Sequence, residues 1–261
     1  MISKLIHTKG FKWFIALLLI VLFLVSYAGA GRMYISDTTV HGNELTDKEK
    51  ASYENITVTY EEGMPEDILT QCQEAVEEMP ADAIQRFSDD GWKIAVVSRL
   101  DTSAEATGTA VVDNAASVKG MTDYSTKTVT VVCNEEQESV TSPLAHELSH
   151  YCDGFYGERD FNDAKYYITT PDRYLVSGTE DFLKVYLEYR DKYVEFELSS
   201  VKKSGENSKA FEYPASSGSE FFACAFRDYR FHSAYVKDYY PDIYAYFSRL
   251  EAGKAAEPGN S

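Results

Sequence analysis

Histidine and cysteine are scarce in this chain, with five and four among 261 residues. The cysteines, Cys72, Cys133, Cys152 and Cys224, stand far apart and form no C-x-x-C pair. A thiolate metal site is therefore not indicated, and four residues are too few to staple a chain of this length. Buried free thiols are the expected state. Basic residues are also short, 25 Lys and Arg against 42 Asp and Glu. Such a balance repels nucleic acid and leaves peptides and neutral or basic substrates as the compatible partners. Beyond residue 31 there is no long apolar run, and nowhere is there an internal repeat.

The chain opens on Lys4, His7, Lys9 and Lys12, followed by an almost unbroken apolar run from Trp13 to Ala30. This reads as an export segment, with lysines holding its N-terminal end inside. The run exceeds the usual signal-peptide core of roughly 7 to 15 residues, which favours a retained membrane anchor. Ala28-Gly29-Ala30 would permit cleavage instead. Three of the 25 basic residues and no acidic one lie in residues 1–31, so the exported part carries 22 basic against 42 acidic side chains, formally −20.

Residues 32–51 are polar and mixed in charge, a linker between membrane and domain. A single folded domain is expected over residues 52–251, with a small-residue tail at 252–261. Alternation predicts strands over 56–60, 92–98, 107–112 and 127–133, with an edge strand over 117–123 interrupted by Gly120. Helical spacing predicts helices over 65–78 and 80–87, then 142–153, 180–198, 219–236 and 241–250. The fold class is α+β: a small N-terminal mixed sheet with helices, then a helical C-terminal part.

The chemistry concentrates in His146-Glu147-Leu148-Ser149-His150. Ser142 as cap and Pro143 in the first turn mark a helix start just upstream. Residues four apart on a helix share a face, so His146 and His150 can reach one ion, and imidazole nitrogens suit Zn²⁺. Glu147 lies about 100° around the axis from His146, placed for a water at the metal and so for a general base. An incidental H-E-x-x-H on an ordinary amphipathic helix is the bland alternative.

A catalytic zinc takes a third protein ligand. His7 lies in the export segment and His41 in the linker, which leaves His232 as the one distant imidazole. The extended H-E-x-x-H-x-x-G-x-x-H pattern is excluded, because Asp153 stands where glycine is needed and Tyr156 where the third histidine would be. Glu220 is the better candidate: it is a lone charge heading the apolar stretch Phe221-Phe222-Ala223-Cys224-Ala225-Phe226. Its alternative reading is a capping box with Ser217, and Glu180 is the rival ligand. Asp153 is either an orienting partner for a ligand histidine or an exposed carboxylate at the helix end.

His146-Glu147-Leu148-Ser149-His150-Tyr151-Cys152-Asp153, Glu220-Phe221-Phe222-Ala223 and Tyr213 together resemble the catalytic domain of anthrax lethal factor and the small secreted Pro-Pro endopeptidases. The resemblance covers roughly residues 66–250. It implies a zincin-like fold of the gluzincin type, with His146, His150 and Glu220 holding one Zn²⁺, Glu147 as base, and Tyr213 as donor to the oxyanion. The stretch from His150 to Glu220 is longer than in compact members of that group, so Pro-Pro specificity is not carried over.

The sequence thus leads to an exported zinc metalloendopeptidase, expected to be a monomer and to take an extended peptide along a sheet edge over 117–121. The rival reading is a catalytically inert, zincin-fold binding module at the cell surface.

Overall fold

A computed structural model describes residues 56–100, 119–161, 174–198 and 213–253. The export segment, the linker, the strand expected over 107–112 and residues 254–261 lie outside the described residues, as do His7 and His41. The sheet begins with β1 (Thr57–Tyr60), then come helices α1 (Ile68–Glu77) and α2 (Ala81–Asp89). Strands β2 (Lys93–Val97), β3 (Gly120–Asp123) and β4 (Thr128–Val132) follow. The long helix α3 (Thr141–Asp160) comes next, then a short 3-10 turn (Val176–Gly178), α4 (Glu180–Tyr189), α5 (Gly218–Phe231), α6 (Ser233–Tyr239) and α7 (Pro241–Glu251).

The four strands lie in the order β1-β2-β4-β3, with β1, β2 and β4 parallel and β3 antiparallel to β4. Parallel neighbours need a crossover, and α1 with α2 provides it between β1 and β2. In β2 the buried side chains are Ile94 and Val96, while β4 buries Val129, Val131 and Val132 together with Thr128, so it is covered on both faces. That order leaves β1 and β3 as the outer strands among the described residues. The hairpin of β3 with β4 is closed by the Asp123 carboxylate, which accepts from the Ser125 backbone N–H at 2.8 Å and the Thr126 hydroxyl at 2.8 Å. Lys127 completes the turn at φ 52°, a left-handed conformation that a short turn demands.

Helix α3 runs through the middle of the domain, packed against α1, β3, β4 and α5. It has no polar stripe because solvent meets it mainly at its last turn, at Glu158 and Arg159: Leu144, Ala145, Leu148 and Cys152 are buried, and so are Ser149 and Asp153. Ser142 does not cap it. The helix starts one residue earlier, behind Val140, whose N–H donates to Gln71 Oε1 at 2.9 Å. Its first turn is therefore tied to α1 by a tertiary bond in place of a local one, and the Ser142 hydroxyl accepts from Arg227 at 3.4 Å.

Helix α5 is buried from Phe221 to Tyr229. Phe222 and Phe226 pack on Phe247 of α7 with ring centroids 5.3 and 5.1 Å apart, and Phe182 of α4 closes on Phe222 at 5.3 Å. Aromatic pairs at these separations add to their area burial. The described part of the stretch between His150 and Glu220 thus packs behind α5, completing its core. The expected helices over 180–198 and 219–236 are both interrupted, the second at His232, which stacks on Phe196 at 3.7 Å. All four cysteines are buried and free.

Candidate metal centre

Helix α3 presents His146 and His150 toward the start of α5, where Glu220 stands in the first turn. His146 Nε2 lies 3.2 Å and His150 Nε2 3.5 Å from Glu220 Oε2. All three donor atoms lie within 4.8 Å of one another. An ion held tetrahedrally at about 2.1 Å from each donor would space neighbouring donors about 3.4 Å apart. The observed spacing fits a metal with the nitrogen and carboxylate donors that zinc accepts. Among the described residues this is the one cluster of histidine, cysteine and acidic side chains close enough to share an ion.

The local sequence explains why Glu220 points inward. Ser217 adopts an extended conformation as N-cap and its hydroxyl accepts the Glu220 N–H at 3.1 Å, so the serine satisfies the backbone. The Glu220 carboxylate is then turned to the histidines. His232 stays away on Phe196, and Glu180 sits exposed in the first turn of α4. Neither joins the cluster.

Electrostatics give the same picture in the metal-free protein. Burial opposes ionisation of Glu220, yet its hydrogen bonds to His146 and His150 and their charge hold its carboxyl far below the usual range. Burial alone would depress His150; the Glu220 hydrogen bond and the charges of Glu147, Glu220 and Asp153 raise it to about 9. The arrangement favours positive charge between these groups, and a metal binding there competes with protons.

Glu147 is buried beside the cluster and is not one of its members. The Thr122 hydroxyl lies 2.8 Å from both the Glu147 carboxylate Oε2 and its backbone oxygen, so its single proton fixes the rotamer from β3. Gly120, two residues earlier on the same strand face, lies against the Glu147 side chain: a Cβ there would be 2.6 Å from Cγ and 2.8 Å from Oε1. The Tyr124 hydroxyl donates to the His150 backbone oxygen, tying the hairpin to the same helix.

Tyr213 stands at the mouth, its ring 5.9 Å from that of His146. A turn holds it there: the Ser216 N–H and hydroxyl donate to the Tyr213 carbonyl at 3.0 and 2.7 Å, and the Tyr186 hydroxyl of α4 donates to the Ala215 carbonyl at 2.8 Å. Although half the residue is exposed, desolvation of its phenol and the charge of Glu220 push its pKa up, keeping it protonated as a donor.

The neighbours of the two imidazoles were not legible as such. Ser219 Oγ is 3.2 Å from His150 Nδ1, and Cys224 Sγ is 3.7 Å from His146 Nδ1. The signal for Cys224 was its position four residues after Glu220, on the same helix face. Asp153 is not the exposed carboxylate that was one of its two expected readings, and toward the ligand histidines it acts on His150 through its charge. It is buried, and its Oδ1 accepts the Ser177 N–H at 2.8 Å. Burial pushes its carboxyl up to about 6 against that bond. It joins α3 to the 3-10 turn, whose Ser177 carbonyl lies 3.2 Å from where a side chain on Gly218 would begin.

No protein-family model matches the chain, and no curated protein does. Among solved structures the fold is similar to that of the Pro-Pro endopeptidase from Paenibacillus alvei, at 17% identity and a TM-score of 0.45, over 75% of this chain and 96% of that one.

Proposed function

We propose that this protein is an exported zinc-dependent endopeptidase. The observation that carries the reading is the arrangement of His146, His150 and Glu220 at 3.2 and 3.5 Å spacing, with Glu147 held beside them by Thr122. When bound there, zinc supplies Lewis acidity, lowering the pKa of water and polarising a carbonyl oxygen. Glu147 takes the proton of the attacking water and returns it to the leaving amine. Tyr213 donates its phenol hydrogen bond to the oxyanion that develops on the scissile carbonyl.

The substrate lies extended along the edge of β3 that no other strand among the described residues pairs. In the antiparallel pair with β4 the Val132 N–H donates to the Lys119 carbonyl at 2.9 Å, so Lys119 and Val132 face each other as a hydrogen-bonded pair. Alternation along such a ladder turns the backbone groups of Gly120 and Thr122 outward, beside Glu147. A peptide paired there is held by its main chain, which permits varied side chains. Export rests on the apolar run at Trp13 to Ala30.

The test is hydrolysis of a mixed peptide library by residues 32–261. Cleavage is expected in the zinc-loaded protein, lost on chelation and restored by zinc. Tyr213→Phe should lower kcat/KM by about 10²–10³ with zinc still bound, the loss of one oxyanion donor. Cleavage that survives complete removal of metal would sink the proposal.

A further inference from the structure

Behind the metal centre, on the side away from the cleft, the buried end of α5 carries Cys224, Arg227 and Asp228, all with their side chains out of solvent. Glu195, from the stretch that follows α4, reaches into the same space and is itself buried. Arg227 Nη2 donates to Glu195 Oε1 at 3.0 Å and to Asp228 Oδ1 at 3.0 Å. Asp228 Oδ2 accepts the Tyr193 hydroxyl at 2.5 Å and the Phe196 N–H at 2.8 Å. Two carboxylates thus share one guanidinium, leaving the buried group one negative charge in excess.

The Cys224 thiol sits between this group and the metal centre. Its sulfur lies 3.7 Å from His146 Nδ1, and Glu195 is the charged group that acts on it most strongly. Once Nε2 is taken up by a metal, Nδ1 is the nitrogen that carries the ring proton, and it would donate to the sulfur. The sulfur has the lone pairs to accept it, and its own S–H is then free for the Glu195 carboxylate.

From this geometry we infer that Cys224 and Glu195 are positioning residues for the metal: a thiol relay fixes the His146 tautomer and orientation and couples it to a buried carboxylate. The inference rests on His146 being a metal ligand. Imidazole ligands normally give their second N–H to a carboxylate, carbonyl or water, and loss of such a partner weakens metal binding by about 10–100-fold. Here sulfur occupies that place and the carboxylate stands one bond further back, supplied by the stretch between His150 and Glu220. That stretch therefore contributes to the strength of the site as well as to the packing of α5.

The test uses the full chain loaded with Zn²⁺ or Co²⁺. Metal affinity is measured by competition with a chromophoric chelator, and the visible spectrum of the cobalt form reports ligand geometry. Cys224→Ala should weaken both metals by about 10–100-fold and alter the cobalt spectrum, and Cys224→Ser, which keeps a hydroxyl in the relay, should recover part of the affinity. Glu195→Gln keeps the shape and the acceptor while removing the charge, and should weaken binding by about tenfold. Thermal melts of the metal-free forms identify any variant that fails to fold; if Cys224→Ala does, Glu195→Gln decides. Folded Cys224→Ala and Glu195→Gln proteins that bind both metals within twofold of the parent, with its cobalt spectrum, would overturn the inference. A parent that binds neither metal removes the metal centre itself, an outcome separate from unchanged variants of a metal-binding parent.

Discussion

Glu147→Gln should lower kcat/KM for peptide hydrolysis by at least about 10²–10⁴-fold, the usual contribution of a positioned general base. The carboxylate is not part of the cluster formed by His146, His150 and Glu220, so zinc should remain bound at the parental level. Glutamine has nearly the same volume and can still accept the Thr122 hydrogen bond, now 2.8 Å long, so neither packing nor rotamer has reason to change. What disappears is the capacity to take a proton. Kinetics and zinc content measured on the same preparation separate the two effects. A mutant with zinc bound and activity within a few-fold of the parent would remove Glu147 from the chemistry.

Gly120→Ala should be almost as damaging to activity while leaving the fold nearly untouched. The added methyl would meet Glu147 Cγ at 2.6 Å, Oε1 at 2.8 Å and Cδ at 3.0 Å, all below normal contact. Something must move, and the choice is between the β3 backbone, tied to β4 by a ladder, and the Glu147 side chain from Cγ outward. The side chain moves at far lower cost. A displacement of about 1 Å at a catalytic group costs about 10²-fold in rate, so that loss is expected in kcat/KM with a melting temperature close to the parental value. Equal activity in the alanine variant would show that Glu147 does not work from the position seen here; a large fall in melting temperature would show that the strand yielded instead.

The same pair of residues shows how far the sequence could be read. That His146 and His150 share a helix face follows from a four-residue spacing, and that Glu220 is unusual follows from a lone charge in an apolar run. Gly120 was visible as an interruption in an edge strand, but its purpose was not, because contact with Glu147 depends on where β3 crosses α3. Thr122 was silent for the same reason. Local patterns fix which way a side chain points along its own element, and tertiary crossing decides what it meets.

Element boundaries failed where tertiary contacts outweighed local signals. Helix α3 extends to Asp160, seven residues past the expected end at Asp153, passing through Gly154 and Gly157. Glycine suits a helix end, but at Gly157 it is there for close approach: a Cβ would stand 2.2 Å from the Tyr174 carbonyl oxygen. Ser142 looked like a cap, yet the side chain of Gln71, 69 residues away from Val140, takes the free N–H at that start. The expected helix over 219–236 breaks at His232, whose ring is drawn onto Phe196. Parallel pairing of β1 with β2 and β2 with β4 was likewise beyond pattern reading, since both parallel and antiparallel strands show the alternation used to find them.

The zinc site proposed at His146, His150 and Glu220 is open to a direct count of bound metal. The most direct measurement is the zinc content of purified residues 32–261 after dialysis against buffered zinc, taken beside His146→Ala. The account predicts close to one zinc per parent chain and near none in the mutant. A parent chain without zinc, or a His146→Ala chain that retains a full equivalent, would contradict it.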